Sequence, residues 1–240
     1  MDYWMMAAAF IAYVVKGMCG FANTLIFGTI LSFHTDNINI TPVEVIVGYP
    51  SNVLIAYKER REISAGVWLP LAVLVMAGSI PGTLLLKTGD AALIKIIFGA
   101  VVTGIAAEMF LRERKSGKQK TSQLFLGIIG IVSGVLCGLF GIGALLAAYV
   151  SRTTDNNRAF RGNLCMVFIV ENTFRLIVYS VTGIFTAEIL RTAVILMPFM
   201  LGGLGTGILL SRIVSEQKVR KLIIAMLALS GVSLILKNIL

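Results

Sequence analysis

Glycines interrupt this chain twice, each time inside one of its longest apolar stretches. The first cluster reads Gly17-Met18-Cys19-Gly20-Phe21-Ala22-Asn23, the second Gly138-Leu139-Phe140-Gly141-Ile142-Gly143-Ala144. The spacing Gly-x-x-Gly-x-small thus recurs 121 positions on, about half the chain length. Glycine costs helix stability, so a cluster within an apolar run predicts a break in the helix. In lipid, freed backbone groups find no partner, so such a break must line a cavity or be buried in protein. Paired interruptions in the two halves of a chain point to a substrate site between them.

Composition places those breaks in a bilayer. The chain is 57% hydrophobic and 14% charged, with a mean hydropathy of +0.90. Soluble domains are nearer a quarter charged. The net charge of +9 does not imply nucleic acid, because the basic residues lie in short loops between apolar spans, where they set topology. No cleavable leader is expected: Asp2 precedes the first apolar stretch without a basic region or a clear A-x-A site. Cys19, Cys137 and Cys165 lie in apolar runs without paired spacing and read as small apolar filler, not metal ligands. His34, the one histidine, falls at the polar end of a segment and reads as interfacial.

Apolar segments fall at about 3–33, 40–57, 64–86, 91–111, 122–150, 162–182, 186–211 and 218–237. An upright span needs about 20 residues. The first and fifth are too long, and they carry the glycine clusters. Each is either a tilted broken helix or a re-entrant hairpin. If all eight cross, basic residues divide between the two sides without bias. If segments one and five return to their own side, one side holds Lys58, Arg60, Arg61, the central loop (Arg112, Arg114, Lys115, Lys118, Lys120), Arg152, Arg158, Arg161, Arg212, Lys218, Arg220 and Lys221. The other keeps Lys87, Lys95, Arg191 and Lys237, so the count is fifteen against four. The positive-inside rule then favours hairpins, with both termini outside. Each half crosses three times, which makes the halves inverted repeats. Trp4 and Trp68 fall near opposite interfaces, as belt residues should.

The expected fold is therefore an all-α integral membrane protein of eight apolar segments in two four-segment repeats. Residues 1–115 form the first repeat, 116–122 a cytoplasmic linker and 123–240 the second repeat. Segments three and seven carry small residues four apart, Gly78/Gly82 and Gly203/Gly207. That spacing reads as close helix packing in lipid.

Charge inside a membrane is costly and is a functional hypothesis by default. Lys16 directly precedes the first cluster; snorkelling to the interface is its bland alternative. Glu171 and Arg175 lie deep in segment six, four residues apart and so on one helix face. A buried pair that only fixes packing is the competing reading. Asn172 stands beside them, and the corresponding stretch of the first half holds Tyr49, Ser51 and Asn52, with Pro50 expected to interrupt helical bonding. Glu44 and Glu108 sit near segment ends and read as interfacial carboxylates, Glu108 within reach of Arg112.

These residues describe an anion site. A half-helix that starts after each glycine turn offers free N–H groups and a positive dipole end. Asn23 or Thr24 is placed to cap the first and to touch the ligand, whereas the second turn, at Gly143 and Ala144, has only backbone to offer. Gly20 and Gly141 make the turns, and Lys16 and Arg175 supply full charge, arginine by a forked donor set suited to oxyanions. The candidate substrate-binding set is Lys16, Gly20, Asn23, Thr24, Asn52, Gly141, Gly143, Glu171, Asn172 and Arg175. No zinc-protease, nucleophile-elbow or P-loop signature occurs. Neither enzyme chemistry nor a cofactor nor a metal is expected.

In this duplicated Gly-x-x-Gly-x-Gly-like pattern, with a glycine-rich segment before a basic loop, nearly the whole chain resembles the sulfite exporter TauE/SafE family of membrane transporters. The family's glycine run is richer and is followed by a proline; here Ala22-Asn23 and Gly143-Ala144 depart from it. The resemblance implies transport of sulfite, a sulfonate or another small organic anion, driven by a proton or sodium gradient, in a bacterial inner membrane. A secondary transporter working by alternating access is the leading reading. A passive anion channel with the same turns and a non-transporting scaffold are the alternatives.

Overall fold

Glycine placement sets how the helices approach one another. In a computed structural model, which describes residues 3–33, 37–113, 123–141, 143, 146–147, 150, 153–154, 156–211, 213 and a few positions beyond 220, the described residues are helices and turns. They form α1 (Tyr3–Cys19), α2 (Asn23–Leu31), α3 (Asn37–Lys58), a 3-10 turn (Arg60–Glu62), α4 (Ala65–Thr88), α5 (Ala91–Glu113), α6 (Gln123–Phe140), α7 (Asn157–Val181) and α8 (Ala187–Leu210). Among the described residues, 65–88, 158–181 and 187–210 are helical, long and apolar enough to cross a membrane. His34, the 116–122 linker and most of segment eight lie outside the described residues, as do the side chains of Glu108 and Arg112.

The opening segment of each sequence half packs on the third segment of the other. Helix α1 runs along α8: Gly203 meets Phe10, Gly207 meets Val14, and Gly17 faces Leu204 and Ile208. Helix α6 runs along α4 in the same way, with Gly130 against Leu74, Gly134 against Gly78 and Gly138 against Gly82. Missing side chains on both partners let the backbones touch, the arrangement that substitutes for a hydrophobic driving force in lipid.

Hydrogen bonds fix the direction of the remaining helices. Ser64 N–H donates to Asn163 Oδ1 at 2.9 Å at one end of the layer, and Lys87 Nζ to the Thr182 carbonyl at 2.6 Å at the other. Helices α4 and α7 therefore run together. Helix α3 runs against α7, with Tyr49 Oη 3.1 Å from Thr173 Oγ1 and Glu59 beside Gly162. Side-chain caps start α7 and α8: Asn156 accepts from Ala159 N–H, and Thr186 from Ile189 N–H.

Both glycine clusters reverse the chain. Helix α1 shares the direction of α8, and so of α3; Lys16 near its end reaches Asn52. After the break at 20–22, α2 climbs back along α3: Asn23 bonds Glu44, and Gly28 faces Ile40 and Thr41 across a small cavity. Helix α6 starts at the Ala65 end of α4 and stops at Phe140. Ala147 N–H then bonds the Gly143 carbonyl at 2.9 Å, and Leu146, Ala147 and Val150 cluster with Leu71, Val75 and Leu164. Asn156 arrives 3.4 Å from Glu62, back at the starting end.

Pro50 departs from expectation. It does not interrupt α3, which continues from Asn37 to Lys58 through Pro42 and Pro50. Proline removes the donor that would have bonded the Ile46 carbonyl four residues back, and Ser51 Oγ adds a separate bond to the Gly48 carbonyl at 2.6 Å. The surrounding helices hold the shape that the local sequence weakens.

Candidate functional site

The two turns meet. Gly20 and Gly141 adopt left-handed backbone, φ 84° and 71°, which a residue without Cβ enters freely. Ala22 does so as well, at φ 74°, a conformation that costs an L-residue about 1–2 kcal/mol. Ala22 stands where Gly143 falls in the second copy; Gly143 is not left-handed, and a side chain there would instead run into the Phe168 ring. A side chain at Gly141 would meet Thr24 Cγ2 at 2.8 Å, Glu44 Oε2 at 3.3 Å and Arg175 Nη1 at 3.4 Å. The second tip is thus pressed against the first tip, α3 and α7 at once.

A cluster of buried polar groups surrounds this contact. Lys16, 2% exposed, donates from Nζ to Asn52 Oδ1 at 2.7 Å, with its ammonium 5.7 Å from the Tyr13 ring centroid. Snorkelling is thereby excluded for this conformation. Arg175, 1% exposed, lies 3.5 Å from Glu171 Oε1 through Nε and donates from Nη2 to Tyr179 Oη at 2.8 Å. Ser79 Oγ donates to Glu171 at 3.3 Å. Tyr179 Oη reaches the Gly138 carbonyl at 3.5 Å, just before the second turn. Among the described residues nothing joins Asn172 to this cluster, although it is buried on the same helix.

Glu44 is the residue that the sequence reading missed. It is not interfacial: it is 5% exposed, and it accepts from Asn23 Nδ2 at 2.5 Å and Thr24 Oγ1 at 2.8 Å. Neither Asn23 nor Thr24 caps α2, whose N-cap is Ala22 without a side-chain bond. Both turn their donors to the carboxylate instead. A signal was present: Glu44, Gly48 and Asn52 recur every four residues and so share one helix face. The first half supplies Lys16 and Glu44; the positions 121 residues on are Cys137 and Cys165. Arg175 and Glu171 correspond in turn to Leu54 and Pro50. The chemistry is therefore asymmetric on a duplicated frame.

Two small cavities flank Thr24. One, of about 20 Å³, lies between the tips and is lined by Ala22, Asn23, Thr24, Gly141, Gly143 and Phe168. The other, of about 10 Å³, lies between Thr24, Glu44, Thr41 and the Phe98–Phe140 pair, whose ring centroids are 4.9 Å apart. A water needs about 10–15 Å³ on this measure, so each holds a water-sized group and neither an oxyanion of sulfur. Phe21 and Phe160 pack edge-to-face at 6.1 Å, and Arg161 Nη2 donates to the Met18 carbonyl at 2.8 Å, latching the first tip to α7. Lys16, Glu44, Glu171 and Arg175 are buried in this conformation.

Residues 5–234 match the family described as Sulfite exporter TauE/SafE. No curated protein and no solved structure matches the chain significantly.

Proposed function

The chain belongs to the sulfite exporter TauE/SafE family, and from that premise we propose that it is a secondary transporter moving a small anion, sulfite or a sulfonate, across the cytoplasmic membrane by alternating access. The observation that carries this reading is the convergence of two left-handed glycine turns on one buried cluster with two cations and two carboxylates. Lys16, Asn23, Thr24, Asn52, Gly141, Gly143 and Arg175 are the proposed contacts for the anion, with Gly20 shaping the first turn and Glu171 and Asn172 supporting α7. The water-sized cavities and the burial of the four charged side chains support an occluded state from which the tips separate toward one side at a time.

The loop charges support a topology in which the Ser64–Asn163 end is cytoplasmic. Residues 1–115 and 123–240 then form inverted repeats joined by a cytoplasmic linker at 116–122. Reconstituted uptake tests the function. Proteoliposomes should take up labelled sulfite saturably, and excess internal sulfite should accelerate entry by counterflow. Non-saturating uptake with a steady anion conductance would replace the transporter with a channel.

A further inference from the structure

Described charges in the cluster balance. Lys16 and Arg175 face Glu44 and Glu171, and none of the four is more than 5% exposed. Bringing a monoanion into such a site leaves one buried negative charge uncompensated, which is strongly unfavourable. The donors that an anion would use at the first half-helix, Asn23 Nδ2 and Thr24 Oγ1, are already taken by Glu44 Oε1. A second, independent feature points the same way. Tyr13 Oη is fully buried beside the Asn23 side chain, and no well-formed hydrogen bond satisfies it among the described residues. It crowds the same point as Glu44: a Cβ at Gly48 would stand 2.9 Å from Glu44 Oε1 and 3.3 Å from Tyr13 Oη. A buried hydroxyl that is poorly satisfied beside two donors on a half-helix start adds a third donor at the place Glu44 occupies.

We propose that the Glu44 carboxylate occupies the substrate-anion position in the closed state, and that a monoanionic substrate enters only together with one proton taken up by Glu44. The proposal rests on the transporter reading above. Protonation converts the carboxylate to a neutral acid, with the proton drawn from the aqueous side to which the site is open. It removes one negative charge and frees Asn23 and Thr24. The site then carries one net positive charge, which the monoanion neutralises; Tyr13 Oη, Asn23 Nδ2 and Thr24 Oγ1 become its donors. The driving ion is thereby a proton, bound at the same place as the cargo and not at a separate site.

Glu44 is singled out from its titratable and charged neighbours by its partners. Those facing it are Tyr13 and Lys16 on α1, Cys137 on α6, and Glu171, Arg175 and Tyr179 on α7. Glu171 is held by the Arg175 ion pair and by Ser79. Lys16 is committed as donor to Asn52. Tyrosine and cysteine side chains ordinarily keep their protons at neutral pH. Only Glu44 has its donors at the half-helix start itself.

Calorimetry on purified full-length protein tests this, with methanesulfonate as a monoanion that does not titrate, in buffers of differing ionisation enthalpy. Wild type should take up about one proton per anion, and affinity should rise about tenfold per pH unit on acidification over the range where Glu44 is ionised in the free protein. Glu44→Gln should bind with no proton uptake and a flat pH profile, whereas Glu188→Gln, an exposed carboxylate at the start of α8 and outside the cluster, should keep the wild-type uptake. With sulfite the same quantity is read as the difference between wild type and Glu44→Gln, because the proton of sulfite itself is common to both. Anion binding without proton uptake in wild type overturns the inference and leaves the transporter reading standing. So does a Glu44→Gln protein that keeps the wild-type pH slope. If no sulfur oxyanion binds at any pH, the transporter reading fails and the inference falls with it. Should Glu44→Gln not fold, uptake in wild type and in Glu44→Asp decides, and both must take up the proton.

Discussion

Replacing Gly138 with alanine should destabilise the protein although alanine is the better helix former. The added methyl would stand 2.5 Å from the Ser79 carbonyl oxygen, 2.8 Å from Thr83 N and 2.9 Å from Gly82 Cα. Ordinary contact begins at 3.4 Å, a shortfall of about 0.9 Å at the nearest atom. All three neighbours are backbone, so no rotamer change relieves them, and α4 and α6 must part along their length. Overpacking of this kind costs about 1–3 kcal/mol. The intrinsic gain of glycine to alanine in a helix is at most about 1 kcal/mol and does not offset it. Gly104→Ala is the matched control, because a Cβ there meets no described residue within 4 Å. It should be neutral or stabilising. The assay is equilibrium unfolding of purified protein in one detergent, both variants beside wild type. A Gly138→Ala protein as stable as Gly104→Ala would refute the claim that glycine contacts hold α4 to α6.

Other outcomes follow from the same geometry. Ala22→Gly should raise stability by up to about 1–2 kcal/mol in the same unfolding assay, because it relieves a left-handed alanine. Cysteine labelling at Asn157 and Gln119, in a background without native cysteines, should find both accessible from the cytoplasmic side; opposite sides would remove the hairpin topology. Arg175→Met alone should weaken sulfite binding and stability together, since it leaves Glu171 buried without its cation. Arg175→Met with Glu171→Gln should recover stability but not affinity, and unchanged affinity in a folded double variant would make the pair purely structural. Asn23→Leu should abolish binding in protein that still folds, read by thermal shift with sulfite.

How much of this was legible depended on whether a residue's neighbours lay on its own helix. The glycine clusters announced both breaks, because backbone conformation is local. The Glu171–Arg175 pair was legible for the same reason, being one helical turn apart. Glu44 was not. An isolated apolar segment starting near residue 40 puts it at a boundary. In the structure, α2 folds back beside α3 and brings Asn23 and Thr24 to it. Tyr179 escaped notice likewise, since its value lies in joining Arg175 to the carbonyl before the second turn. Pro50 was over-read: helix continuity there is set by packing against α7 and α8, which local propensity does not encode.

The central claim is that one anion site lies between the two glycine turns. Its most direct measurement is a structure determined with selenite, a heavier stand-in for sulfite, located by its anomalous signal. A single selenium peak within hydrogen-bonding reach of Asn23, Thr24 and the Gly141–Gly143 turn, with the Glu44 carboxylate displaced from Asn23, is the predicted result. A peak confined to the basic loops at the Ser64–Asn163 end, with Glu44 still bonded to Asn23 and Thr24 at saturating selenite, would contradict it.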